Sequence, residues 1–144
     1  MLPLQNTKAA IMIAPQSIGT SAVTGYADTL GADEIVIDVY GVSDAAADVF
    51  TSLKLQDGAT TSAFTDLSGA VGGTDFSIPA PNTNTPDIIR FRLNRIKTPA
   101  LRRYINISAA LTTARIVTVV AHMARLDKTP DTAAEVGATT LVDV

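Results

Sequence analysis

The sequence predicts an all-β protein, a jelly-roll-like antiparallel β-sandwich with extended N- and C-terminal segments. Three observations predict it. "IIRFRLN" at 88–94 alternates Ile89, Phe91 and Leu93 with Arg90, Arg92 and Asn94, the period of two that sends successive side chains to opposite faces of a strand. At helical pitch these arginines would fall among the apolar residues. "EIVIDVY" at 34–40 repeats the pattern, with Ile35, Ile37 and Val39 on one face, Glu34, Asp38 and Tyr40 on the other, and Val36 the one apolar exception. Finally, the helices of about 10–15 residues that parallel crossovers need are missing, so many short strands separated by polar turns favour two packed antiparallel sheets.

In chain order, strands are expected at 9–14, 22–28, 34–40, 52–56, 88–94, 103–109 and 115–125, seven or eight in all. The last, "RIVTVVAHMAR", is apolar on both faces and is expected at the centre of a sheet. Turn-forming residues separate them: "TLGADE" at 29–34, "GVSDAAAD" at 41–48, "QDGATTS" at 56–62, "GAVGGTDFSIPAP" at 69–81, "APNTNTPD" at 80–87 and "TPAL" at 98–101. Within the second of these, "SDAAAD" suits a short helical turn capped by Ser43. The organisation expected is an N-terminal arm at 1–8, a sandwich domain at 9–125 and a C-terminal arm at 126–144. That last arm follows a Thr-Pro break and closes on "TTLVDV", where a monomer offers little to cover Leu141 and Val142. Such a segment folds onto its own sheet edge or adds a strand to a neighbour.

With 144 residues the chain makes one domain, and at 47% hydrophobic and 17% charged it must bury its apolar content in a core or under a partner. It has no cysteine, which removes disulfides, thiolate metal sites and thiol catalysis. "MLPLQNTKAAIMIAPQ" resembles neither a signal peptide nor a membrane span, because its apolar run after Lys8 is only six residues. The chain is therefore expected to be made in the cytoplasm and to stay soluble.

The glycines at 69, 72 and 73 raise the question of a phosphate cradle. Such loops follow a strand and open a helix whose first amides face the anion. Here no lysine follows, and Pro79, Pro81 and Pro86 forbid the helix. The favoured reading is that Gly69, Gly72 and Gly73 provide positive φ or close backbone approach, while Phe76 and Ile78 fasten the excursion to the core. His122, between Ala121 and Met123, reads as a half-buried strand residue with no partner nearby in sequence. A zinc or non-heme iron site built from this histidine and carboxylates alone would be unusual. The twelve aspartates lie singly in turn segments such as "QDG" and "GTD", where Asp serves backbone hydrogen bonds rather than paired acid and base chemistry. No catalytic residue, cofactor or metal is expected, and the chain is read as not an enzyme. Aromatic residues make up 5% of the chain, too few for a stripe that stacks single-stranded nucleic acid.

Charge is distributed unevenly. Residues 1–87 hold ten acids and two bases, 88–125 eight bases and no acid, and 126–144 four acids and one base. Six bases, Arg90, Arg92, Arg95, Lys97, Arg102 and Arg103, fall within fourteen positions, yet the net charge is −3, which argues against nucleic acid. The bases are expected to meet the chain's own acidic half as cross-strand pairs, or the acidic face of a neighbour, where they would steer assembly and fix register.

"YADT" at 26, "EIVIDVYGVSDAAA" at 34, "SLKLQDGATTSAFTDLSGAVGGTDFSIPAP" at 52, "RRYINISA" at 102, "VAHMAR" at 120 and "PDTAAEVG" near the end, in that order, resemble a family of tailed-bacteriophage capsid decoration, or cement, proteins. The stretch "NRIKTPALRRY" departs from the family in being longer than its usual turn before the final strands. The resemblance implies a jelly-roll-like body on the outer capsid surface of the virion, stabilising the shell by bridging neighbouring capsomers. Its partners would be the major capsid protein and further copies of itself, as a homo-oligomer with the trimer favoured over the dimer, and neither nucleic acid nor membrane. Expected capsid or intersubunit contacts are Arg90, Arg92, Arg95, Lys97, Arg102, Arg103, Leu141 and Val142, with Met1 to Lys8 adding grip. The competing expectation is a carbohydrate- or receptor-binding β-sandwich module of a phage particle, which would need a clustered aromatic and polar site from Tyr26, Tyr40 and Tyr104.

Overall fold

Alternation at period two gives each strand a dry face, and burying that face requires a second sheet. The structure, a computed structural model, describes residues 7–42, 50–78 and 86–124, and it forms two four-stranded antiparallel sheets packed as a sandwich. The strands are β1 (Thr7–Ile18), β2 (Val23–Asp28), β3 (Glu34–Val42), β4 (Phe50–Gly58), β5 (Thr65–Val71), β6 (Pro86–Asn94), β7 (Tyr104–Leu111) and β8 (Arg115–Ala124). One sheet runs β1-β8-β3-β6, the other β2-β7-β4-β5. Thus β1 pairs β8, β2 pairs β7, β3 pairs β6 and β4 pairs β5, as if one long hairpin were rolled round the core and closed by β3 against β8 and β4 against β7.

The core follows the predicted faces. Ile35, Ile37 and Val39 of β3 meet Val117, Val119, Ala121 and Met123 of β8 on the inner side of one sheet, and Leu53, Leu55, Ile105 and Ile107 line the other. Ile89, Phe91 and Leu93 pack against this core from the edge strand β6. The strand expected at 115–125 is central: β8, described as Arg115–Ala124, is flanked by β1 and β3.

The expected strands end within two residues of the observed ones, with β4 the longer at both ends, and two elements differ more. β1 runs on to Ile18, beyond the expected end at 14, because register shifts between Ile11 and Ile13 and between Ile13 and Gln16 absorb Pro15, which has no N–H to give a ladder. Met12 and Ile13 are consequently both buried, and the Thr118 hydroxyl donates to the Ile13 carbonyl at 2.8 Å. β5 was not expected, since "TDLSGAV" has no clean alternation. It is held by side chains instead: Asp66 accepts from Lys54 at 3.0 Å and Gln56 at 2.8 Å on the neighbouring strand. The "SDAAAD" turn and the C-terminal arm with Leu141 and Val142 lie outside the described residues, as do residues 1–6; Thr7 and Lys8 already belong to β1.

Candidate functional site

The glycine excursion answers the phosphate question through its amides. Gly69 and Gly73 have φ of 88° and 81°. A Cβ on Gly72 would lie 2.7 Å from both the Leu53 carbonyl oxygen and the Ile78 side chain, so this is a close approach. The Gly69 and Val71 amides donate to the Asp75 carboxylate at 2.8 and 3.0 Å, the Gly72 amide to Leu53 O at 2.9 Å and the Gly73 amide to Phe76 O at 2.8 Å. Asp75 is thus the anion this loop holds, and Phe76 and Ile78 pack on the core. The aspartate serves the backbone, as its turn position predicts.

The basic stretch divides into bound and free charges. Pairing of β3 with β6 sets Asp38 opposite Arg90. Arg90 Nε and Nη2 donate to the two Asp38 oxygens at 2.6 and 2.9 Å, a forked geometry. Tyr40 Oη donates to Asp38 at 3.2 Å, and His122 Nε2 lies 3.9 Å away. Although Asp38 points to the outer face of its sheet, these neighbours leave it 1% exposed. The Arg90 hydrogen bonds hold its carboxyl below the usual carboxylate value, against burial, which pushes the other way. Burial first, and then the Asp38 hydrogen bond, raises the Tyr40 phenol. His122 is exposed, with 49% of its side chain accessible, rather than half-buried as expected, and its approach to Asp38 was hidden because the two meet only through the β3–β8 register.

Arg103 forks onto Asp28 at 2.9 and 2.7 Å and stands over the Tyr104 ring at 5.0 Å. Arg102 gives its backbone amide to Asp57 at 3.0 Å and its guanidinium to Thr65 Oγ1 at 3.2 Å. Arg95 is turned inward: it donates to the carbonyls of Ala32 and Leu101 at 3.1 and 2.6 Å and to Thr29 Oγ1 at 2.7 Å. Three of the six bases thus meet the chain's own acids, Arg90 and Arg103 closely and Arg102 at 4.0 Å from Asp57, while Arg95 is tied to neutral oxygens. Arg92 and Lys97 meet no acidic group within 4.0 Å among the described residues, and both border a groove of about 380 Å³ at the end of β6.

Three aspartates carry a pH signature. Asp28 is held low by Arg103, Asp38 by Arg90, and Asp66 by Lys54 and then Gln56. A carboxyl whose folded pKa is depressed adds stability fully present above its unfolded value of about 3.9, and this is lost as pH falls through the folded value. The melting temperature is therefore expected to fall steeply below about pH 4, with a shallower acid limb in Asp38→Asn. A melting temperature that rose on acidification from pH 4 to 2 would contradict the pairing.

Two surfaces remain. The outer face of the β1-β8-β3-β6 sheet exposes Ile11 at 67%, Ile88 at 59% and Ile116 at 60%, from three different strands. Outside the other sheet, Tyr26 packs 6.1 Å edge-on to Tyr104 and 6.2 Å from Phe64, beside the bonded pair Asn106 and Gln56. Tyr40 belongs to the opposite sheet and is not part of this cluster. No family model and no curated protein matches the chain.

Proposed function

We propose that the chain is a structural virion protein, a decoration protein whose jelly-roll-like body binds the outer surface of a tailed-phage capsid and bridges neighbouring capsomers. The observation that carries this reading is the outer face with Ile11, Ile88 and Ile116. Single exposed isoleucines are ordinary, but three on one sheet face, with the neutralised Asp38–Arg90 pair on the same face, suit a surface covered by another chain. The sequence resemblance supplies the kind of partner. A homo-oligomer touching several capsid subunits needs only modest patches, since each contact raises the effective concentration for the next.

The experiment is to mix purified protein with expanded empty heads of the major capsid protein. Binding is expected to saturate at a fixed copy number set by the head's symmetry and to raise the heat resistance of the heads. Absence of bound protein at saturating concentration overturns the reading. The carbohydrate- or receptor-binding alternative is favoured by one feature, the Tyr26–Tyr104–Phe64 cluster beside Asn106 and Gln56. It requires glycan binding without heads, abolished by Tyr26→Ala.

A further inference from the structure

We propose that the groove bordered by Arg92 and Lys97 seats an acidic, extended segment of the protein partner. This rests on the decoration reading and names the surface and the chemistry. Of the other four clustered bases, Arg90 and Arg103 are forked onto carboxylates, Arg102 is held by Asp57 and Thr65, and Arg95 is tied to three neutral oxygens, so turning any of them to a partner breaks internal bonds. Arg92 and Lys97 are exposed and uncommitted among the described residues.

Their placement is built by the fold. β6 ends its sheet, with β3 on one side and no strand on the other among the described residues. Such an edge offers backbone groups to an added extended segment. Arg92 shares the outer face of β6 with Arg90, two residues away, and Lys97 follows in the turn. Asn94 sets that turn: its Oδ1 accepts from the Ile96 and Lys97 amides at 2.9 and 3.1 Å, while its Nδ2 donates to Glu34 at 3.4 Å. Glu34, the one acid on the groove, is therefore held by Asn94 and reaches neither cation within ion-pair distance. Val36 and Leu93 give the groove an apolar lining between the charges. Two free cations about an apolar lining, at the paired ends of β3 and β6, complement a segment that alternates carboxylates with small aliphatic side chains. The contacts lie at the surface, so they act on encounter rate and register and weaken with salt.

The test compares wild type with Arg92→Glu/Lys97→Glu on expanded heads at low and high salt, with circular dichroism to confirm folding. Wild-type occupancy is expected to fall as salt rises, and the reversed pair to bind at least about tenfold more weakly at low salt, with little further salt dependence. The neutral Arg92→Gln/Lys97→Gln pair serves should the reversed pair not fold, and is expected to lose most of the salt dependence. Equal affinity and equal salt dependence in variant and wild type overturn the inference while leaving the decoration reading intact. Heads that bind no wild-type protein overturn both.

Discussion

Gly25→Ala is expected to destabilise the sandwich by at least about 3 kcal/mol, at or beyond the upper end of ordinary overpacking costs. Gly25 sits mid-strand in β2, where the chain passes against the bulged part of β1. An added Cβ would overlap the Met12 carbonyl oxygen, lie 2.6 Å from the Met12 carbonyl carbon and approach Ile13 Cγ1 at 3.0 Å. The obstacle is backbone, which has no rotamer by which to yield. Because β1 and β2 belong to different sheets, relief requires lifting β1 away, and that exposes Ile13 and Ile18, which are 1% and 0% exposed. Urea denaturation measures the loss. Gly41→Ala is the control, since a Cβ there meets nothing within 4 Å. If Gly25→Ala unfolds at the wild-type midpoint, the corner between the sheets is not packed as described.

Arg95→Ala is expected to destabilise by about 2–4 kcal/mol, because each hydrogen bond from a charged donor contributes about 1.5–3 kcal/mol and several are lost together. Its guanidinium joins the β2–β3 turn, through Ala32 O and Thr29 Oγ1, to the β6–β7 connection, through Leu101 O. Thr29 is fully buried and its hydroxyl also donates to Arg103 O at 2.5 Å. Removing the guanidinium leaves these acceptors without their donor. Arg95→Lys should restore only part of the loss, since an ammonium cannot reproduce a planar fork across three oxygens. Thermal or urea unfolding of both variants checks this. Wild-type stability with reduced capsid binding would make Arg95 a surface contact instead.

These two residues mark where sequence was sufficient and where it was not. Alternation in "EIVIDVY" and "IIRFRLN" sorts Ile35, Ile37, Val39, Ile89, Phe91 and Leu93 onto inner faces because the period is local. The glycine excursion was legible for the same reason, since turn chemistry at Gly69, Gly72 and Gly73 needs no distant partner. β5 was not, because its order comes from Asp66 held across the ladder by Lys54 and Gln56 and from Asp75 capping its end. Nor could the basic stretch be divided in advance. Arg90 and Arg92 look alike along β6, yet the register sets Asp38 opposite the first and Val36 opposite the second. Reversing Arg90 would therefore set Glu against the 1%-exposed Asp38 and disturb the fold along with any interface. Arg95 and Lys97 likewise differ only in which way the turn aims them.

The most direct measurement is a density map of heads saturated with the protein. The account expects two four-stranded sheets at regular positions outside the shell, the β6 groove over an acidic capsid segment and Ile11, Ile88 and Ile116 covered by a neighbouring chain. Heads with bare outer surfaces, or copies bound irregularly with that face turned to solvent, would contradict it.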